Sequence, residues 1–252
     1  MPYIDLNCDM GEGAGSDEQL MSFITSANIA CGFHAGSSDT MAHAVRLCKQ
    51  YRVAVGAHPS FPDRENFGRK EQACTPEEVY AWVQAQVQAL QYIAAQQGLA
   101  VVHVKPHGAL YNQAAREPQL AAAIAQAVKD INPHLVLVGL SGSFLISEAA
   151  ARGLATASEV FADRTYQDNG SLTPRSQAGA LIEEEAASVQ QVLDMVTAGK
   201  VKAISGKEIQ LQAQTICLHG DGPHAVPFAK AIHTALISAG ITIQPLHQLL
   251  NK

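Results

Sequence analysis

The chain has 252 residues, 47% of them apolar and 16% charged, a balance that excludes a disordered chain and supplies enough apolar surface for one large core. Its formal charge is −6 and it has no basic run, which argues against nucleic acid as a partner. No apolar stretch approaches the ~18 residues that a membrane span needs, and the five cysteines, odd in number and widely spaced, fit neither a disulfide framework nor a CxxC metal site.

The first element is the clearest. In the strand expected over 3–9, Asp5, Asn7 and Asp9 fall on one face, while Ile4, Leu6, Cys8 and Met10 fall on the other. The chain enters this strand with no basic segment and no apolar signal segment before it, so a cytoplasmic location is the default expectation. A second strand over 27–33 aligns Asn28, Ala30, Gly32 and His34. Met41, Ala44, Val45 and Cys48 then recur at helical spacing, predicting a helix over 39–51. A third strand over 53–58 aligns Ala54, Gly56 and His58, and a long charged loop over 59–74 follows it. The longest helix is expected over 76–97, with Thr75 as N-cap, Pro76 at its first position and Gly98 closing it.

The alternation continues. A fourth strand over 101–107 aligns His103, Lys105 and His107, and a helix over 117–130 comes next. The fifth strand, 135–140, offers no polar side chain on either face, and a helix over 144–152 follows Ser143. The sixth strand, 156–163, aligns Glu159, Phe161 and Asp163, and leads into a second long loop over 164–177 and a helix over 178–198. The seventh strand, 215–220, aligns Thr215, Cys217 and His219 with Asp221 just beyond it, before a last helix over 224–239.

Strand–helix alternation repeated seven times implies parallel strands joined by crossover helices. No linker interrupts it, so residues 1–252 are expected to form a single seven-stranded parallel (β/α) barrel domain. Chemistry in such barrels sits at the C-terminal ends of the strands, and both long loops would border that mouth. The faces that carry polar residues converge there. Asp9, Glu12, His34, His58, Lys105, His107, Glu159, Asp163, His219 and Asp221 form a candidate hydrolytic or proton-transfer site, because burying so many ionisable groups unpaired would be very costly. Each imidazole taken alone is more often a hydrogen-bonded core residue than a ligand, and it is the joint pattern that points to a site.

A divalent metal of unknown identity is one option. Asp9, His34 and His58 end three consecutive strands, and such a set can hold Zn²⁺ or a similar ion with an open position. Metal-free acid–base work by the same groups is the other. The glycine-rich run Gly11–Gly15 fails the dinucleotide fingerprint, no GxxxxGK[ST] sequence occurs, and no GxSxG nucleophile elbow is present.

Several blocks are long and specific: Asp5-Leu6-Asn7-Cys8-Asp9-Met10-Gly11-Glu12; Asn28-Ile29-Ala30-Cys31-Gly32-Phe33-His34-Ala35-Gly36; Gly56-Ala57-His58-Pro59-Ser60-Phe61-Pro62-Asp63; and Phe67-Gly68-Arg69. Later blocks are Lys105-Pro106-His107-Gly108-Ala109-Leu110-Tyr111-Asn112, Glu159-Val160-Phe161-Ala162-Asp163-Arg164 and Cys217-Leu218-His219-Gly220-Asp221. Through them the chain resembles, over nearly its whole length, the LamB/YcsF family, the A subunit of bacterial 5-oxoprolinase. The resemblance implies a distorted barrel of the glycoside hydrolase/deacetylase type. It also implies ATP-dependent opening of 5-oxoproline to glutamate together with two partner subunits, B and C. The chain shows no P-loop, so ATP handling is expected to lie mainly with those partners. In that scheme Asp9 or Glu12 activates water, and His58 or His107 protonates the leaving nitrogen. Lys105 or Arg69 holds a carboxylate or phosphoryl group, and Asn7, His34, Tyr111, Glu159, Asp163, His219 and Asp221 complete the substrate site. A stand-alone metal-dependent deacetylase or amidohydrolase, and a subunit that only senses its ligand, remain as alternatives.

Overall fold

The computed structural model describes residues 3–219 and 225–249. In it β1 (Tyr3–Met10), β2 (Ser26–Ala30), β3 (Ala54–His58), β4 (Val101–Val104), β5 (Val136–Leu140) and β6 (Ala155–Phe161) follow one another around a parallel sheet. Between β6 and the last barrel strand the chain makes a small antiparallel hairpin, β7 (Lys200–Lys202) with β8 (Glu208–Gln210). Strand β9 (Thr215–Leu218) then pairs with both β6 and β1 and closes a seven-stranded barrel. A two-residue strand, β10 (Thr242–Ile243), extends the pairing beside the start of β1.

Every strand expected from alternation is present and starts within one residue of its expected position. Strands β2, β4 and β6 stop at 30, 104 and 161. His34, Lys105, His107 and Asp163 therefore sit on chain that has already left the sheet. The parity also holds. Ile4, Leu6, Cys8 and Met10 are wholly buried in the layer between strands and helices, while Asp5, Asn7 and Asp9 turn into the barrel. The polar-free strand β5 has its own use. Val136 and Val138 pack inside the barrel against Ala157, and Leu246 of the short helix α9 (Leu246–Leu249) closes that end with them.

The helices follow the same physical logic. After the one-turn helix α1 (Asp17–Leu20), helix α2 (Ser38–Tyr51) and helix α3 (Pro76–Gln96) both begin with a complete capping box, from Ser37 with Thr40 and from Thr75 with Glu78. In α3 the buried residues Val79, Val83, Val87, Leu90 and Ala94 recur every three or four positions and give one continuous apolar face. Helices α5 (Pro118–Ile131), α6 (Phe144–Ala151) and α8 (Ala225–Ser238) lie where they are expected.

Two departures concern the mouth. A helix absent from the sequence reading, α4 (Gly108–Arg116), starts directly after His107 and ends where Pro118 begins α5. The helix expected over 178–198 starts only at 185, as α7 (Glu185–Ala198). The preceding residues are tied to the end of β6 instead. Ile182 N donates to Asp163 O at 2.9 Å, and Arg164 donates to Thr173 O at 2.6 Å and to Ala180 O at 3.3 Å. A backbone held by these contacts cannot also form helical bonds. The second mouth loop therefore runs from 162 to 184 and folds against the barrel. Among the described residues no helix is long and apolar enough to cross a membrane. Asp221 lies outside the described residues.

Candidate active site

The barrel interior is a stack of polar layers. In the lowest, Asp5 accepts from Ser26 Oγ at 2.6 Å, Thr25 Oγ1 at 2.8 Å and Thr215 Oγ1 at 2.5 Å. Burial raises its pKa to about 6, although the three hydroxyls pull the other way. Above it, Asn7 Nδ2 donates to Glu159 Oε1 at 3.0 Å, and Asn28 Nδ2 donates to Asn7 Oδ1 at 2.8 Å and Asp9 Oδ1 at 2.9 Å. His103 Nε2 lies 2.9 Å from Asn28 Oδ1. Gly56 makes room for that ring: a Cβ there would stand 1.9 Å from His103 Nε2.

Lys105 occupies the next layer. Its ammonium lies 3.0 Å from Asp9 Oδ1, 2.9 Å from Glu159 Oε1, 3.2 Å from Asn7 Oδ1 and 3.1 Å from Cys217 Sγ. Burial opposes its charge, but the carboxylates of Asp9 and Glu159 outweigh that and hold its pKa well above the ordinary value. Burial likewise pushes the Asp9 carboxyl up, but His58, Lys105 and His219 outweigh it and hold Asp9 well below the usual carboxylate range. Cys217 stays a thiol, because burial lifts its pKa more than Lys105 lowers it.

At the mouth two groups of side chains meet. In the first, Glu12, His34, His58 and His107 each bring one ligand atom to within 4.8 Å of the others. Glu12 reaches this point because the chain turns sharply on either side of it, through Gly11 (φ 73°) and Gly13 (φ 86°). The His34 and His107 rings stack with centroids 3.8 Å apart and planes 4° apart. The 59–74 loop presses on both. Gly68 has φ 63°, and a Cβ on it would come 2.9 Å from His107 Cδ2 and from His34 Cβ. Burial, with neighbouring His58, holds His107 well below its usual pKa, and burial lowers His34. In the second group, Asp9, Cys217 and His219 converge within 4.8 Å. His219 Nδ1 lies 2.8 Å from each oxygen of Asp163, whose pKa stays low because the His219 charge outweighs the effect of burial.

Both groups open onto a cleft of about 900 Å³. Asp9, Glu12, His58, Lys105, His107 and His219 form its floor, and the two mouth loops and the turn before α6 form its walls. Arg69 stands in one wall, with its guanidinium 4.9 Å over the Phe67 ring. Tyr111 lines the cleft too, and burial, reinforced by the Glu159 charge, pushes its phenol well above the usual range. Asn7, His34 and Glu159 are fully buried beneath or behind the floor. The metal set expected from the sequence shares His34 and His58 with the observed cluster. Asp9 sits beside it, with Oδ2 at 3.3 Å from His58 Nε2 and Oδ1 committed to Lys105 and Asn28.

Groups that contribute without titrating escaped the sequence reading. Ser60 Oγ lies 2.8 Å from His34 Nδ1, Phe67 O lies 2.9 Å from His107 Nε2, and Lys105 O lies 2.7 Å from His58 Nδ1. Phe67 adopts φ 54°, uncommon for a residue with a side chain, and that turn aims its carbonyl.

The profile of the LamB/YcsF family matches residues 4–251. A solved structure of a lactam utilization protein from Thermus thermophilus is 44% identical, with a TM-score of 0.90, over 96% of this chain and 99% of that one. More distant structures share the fold alone. A family 4 carbohydrate esterase from Streptomyces lividans is 12% identical with a TM-score of 0.52, covering 99% of this chain and 95% of its own. A peptidoglycan deacetylase from Bacillus subtilis is 11% identical with a TM-score of 0.51, covering 98% and 89%. The chain thus shares its distorted parallel (β/α) barrel fold with these esterase and deacetylase structures.

Proposed function

The chain belongs to the LamB/YcsF family, and from that premise we propose that it is a lactam hydrolase, the A subunit of a multi-subunit 5-oxoprolinase that opens 5-oxo-L-proline to L-glutamate at the expense of ATP. The observation that carries this reading is a cleft whose floor pairs an anionic Asp9 with an imidazole, His219, oriented by Asp163. It occurs in a chain 44% identical to a lactam utilization protein.

A five-membered lactam resists hydrolysis because its amide is stable and the opened chain recloses readily. Phosphorylating the amide oxygen makes the ring carbon electrophilic, and that step falls to ATP and the two partner subunits. This chain then supplies the hydrolytic half. Asp9, fixed by Lys105, orients the attacking water through a hydrogen bond. As the ring C–N bond breaks, the added hydroxyl becomes the carbonyl of an acyl phosphate, from which a second water releases inorganic phosphate, and the departing nitrogen needs a proton. His219 delivers it, because a carboxylate only accepts and Asp163 therefore holds the Nδ1–H side of the ring, leaving Nε2 for chemistry. His58 and His107 are poorer donors, since each gives its N–H to a backbone carbonyl. Arg69 in the cleft wall meets the substrate carboxylate or the phosphoryl group.

The test is reconstitution. The purified chain with ATP and Mg²⁺ releases little glutamate from 5-oxoproline, and adding both partner subunits restores turnover. Equal rates with and without the partners would remove the multi-subunit reading, and no turnover in any mixture would remove the lactam reading.

A further inference from the structure

The hydrogen positions in the histidine cluster follow from what lies behind each ring. Lys105 O faces His58 Nδ1 at 2.7 Å, and Phe67 O faces His107 Nε2 at 2.9 Å. A carbonyl only accepts, so both of these nitrogens carry hydrogen. Ser60 Oγ lies 2.8 Å from His34 Nδ1 and gives its own hydrogen to Phe61 O at 2.9 Å, so it accepts from His34 as well. In the neutral rings the opposite nitrogens, His34 Nε2, His58 Nε2 and His107 Nδ1, are therefore bare lone pairs.

Those bare nitrogens are the ones that converge. His58 Nε2 and His107 Nδ1 stand 2.9 Å apart. Glu12 Oε1 lies 3.0 Å from His34 Nε2, 3.3 Å from His107 Nδ1 and 3.9 Å from His58 Nε2. All four atoms are acceptors, so none can satisfy another. Positive charge among them resolves the conflict, and it comes either as protons on the rings or as a bound cation. Around a tetrahedral ion with bonds of roughly 2.0–2.1 Å, ligand atoms stand about 3.3 Å apart. Four of the six separations, at 2.9–3.9 Å, straddle that value, and all six lie within 4.8 Å. A hydrogen-bond acceptor behind every ligating imidazole is also what fixes the tautomer in metal sites.

We propose that Glu12, His34, His58 and His107 form a binding site for one divalent first-row transition ion of the Zn²⁺ class. Three imidazole nitrogens and a single carboxylate select such an ion over Mg²⁺ or Ca²⁺, which take oxygen ligands. Glu12, His58 and His107 also line the cleft, so an ion held there would act as a Lewis acid next to the reacting bond. The inference rests on the geometry of these four side chains and stands apart from the lactam reading, although it concerns the same cleft.

The test reads metal, not turnover. The full chain is stripped with a chelator, freed of it, and titrated calorimetrically with Zn²⁺, Co²⁺ and Mg²⁺. The expected result is one Zn²⁺ per chain, a visible d–d band when Co²⁺ binds, and no displacement of Co²⁺ by Mg²⁺. Glu12→Gln and His34→Gln each weaken Zn²⁺ binding by about tenfold or more, and Ser60→Ala, which frees a positioning contact, weakens it by about 10–100-fold. Asp9→Asn keeps the stoichiometry. Circular dichroism checks that each variant folds; Glu12 lies on a loop, so its variant carries the test if the buried His34 variant does not fold. A folded wild-type chain that binds no Zn²⁺ at one per chain, or binding unchanged in Glu12→Gln, overturns the site. Mg²⁺ competing equally with Co²⁺ overturns the class of ion. Full metal loading without lactam turnover in the reconstituted enzyme would count against the lactam reading and leave the site standing.

Discussion

Lys105 Nζ lies 3.0 Å from Asp9 Oδ1 and 2.9 Å from Glu159 Oε1, so one buried ammonium bridges two carboxylates, and Asp9 also has His58 Nε2 at 3.3 Å from its other oxygen. This arrangement keeps Asp9 anionic at the floor of the cleft. Lys105→Met would strand both carboxylates. Breaking a buried pair from one side costs about 3–5 kcal/mol, and turnover should fall with it. The cost should shrink as pH falls, because burial disfavours a carboxylate that has lost its ammonium, and its protonation relieves that penalty in the folded state. Urea melts at about pH 7.5 and about pH 5.5 check this. A wild-type melting profile at both would remove Lys105 from its structural role.

Activity should depend on the odd positions of β1 and packing on the even ones. Asp9→Asn preserves shape but removes a charge that pairs with Lys105, so the reconstituted enzyme should lose ~10²-fold or more in rate, and any loss of stability should follow from the unpaired ammonium rather than from a cavity. Leu6 is wholly buried between strand and helices. Leu6→Ala leaves a cavity that costs ~2–5 kcal/mol and spares catalysis in the folded fraction. Full activity in the first variant, or an unchanged melt in the second, would contradict the inward turn of Asp9.

The barrel was legible because period-two alternation is a local signal that every strand repeats, and the inward face of β1 followed from Asp5, Asn7 and Asp9 alone. Which inward residues meet was not legible. Glu12 joins three histidines from distant strand ends only because Gly11 and Gly13 reverse the chain around it. His103 and His107 share a parity yet part company, because β4 ends at Val104 and His103 is claimed by Asn28. Helix α4 was hidden because Gly108 starts it and Pro118 separates it from the stronger pattern of α5. The carbonyls of Phe67 and Lys105 carry no side-chain signature at all.

The His219–Asp163 pair predicts a split between rate and stability. Both side chains remain partly exposed, at 15% and 22%. Replacing Asp163 with Asn should therefore change the melt little. It should cut kcat by ~10²–10⁴-fold, because a neutral amide no longer supports the protonated imidazole that delivers the proton from Nε2. Loss confined to KM would place the pair in substrate binding instead.

His103 should carry one separable share of the acid limb of stability, beside those of His107, His34 and Asp9. Burial first, and then the charge of Lys105, push its pKa down to about 3, whereas an unfolded histidine takes up a proton near 6.5. Between those values the unfolded chain binds a proton that the folded chain refuses. Stability therefore rises with pH through that window and is lost as pH falls, by up to about 1.4 kcal/mol per unit. Asp5 acts in the opposite sense. Its folded pKa is about 6 against ~3.9 unfolded, so the folded state holds the extra proton and stability falls as pH rises through that range. The two effects partly cancel between pH ~4 and ~6 in the wild-type protein, which hides each from a single melting curve. His103→Gln separates them. The amide can still donate to Asn28 but does not titrate, so packing sets a constant offset from wild type above pH ~6.5. Below that, the wild-type curve should drop towards the variant or past it, closing roughly 2 kcal/mol by pH ~5. Chemical denaturation of both proteins across this range measures the gap. Curves that stay parallel down to pH ~4 would show that His103 takes up its proton without unfolding the barrel, and that the layer it shares with Asn28 tolerates a charge.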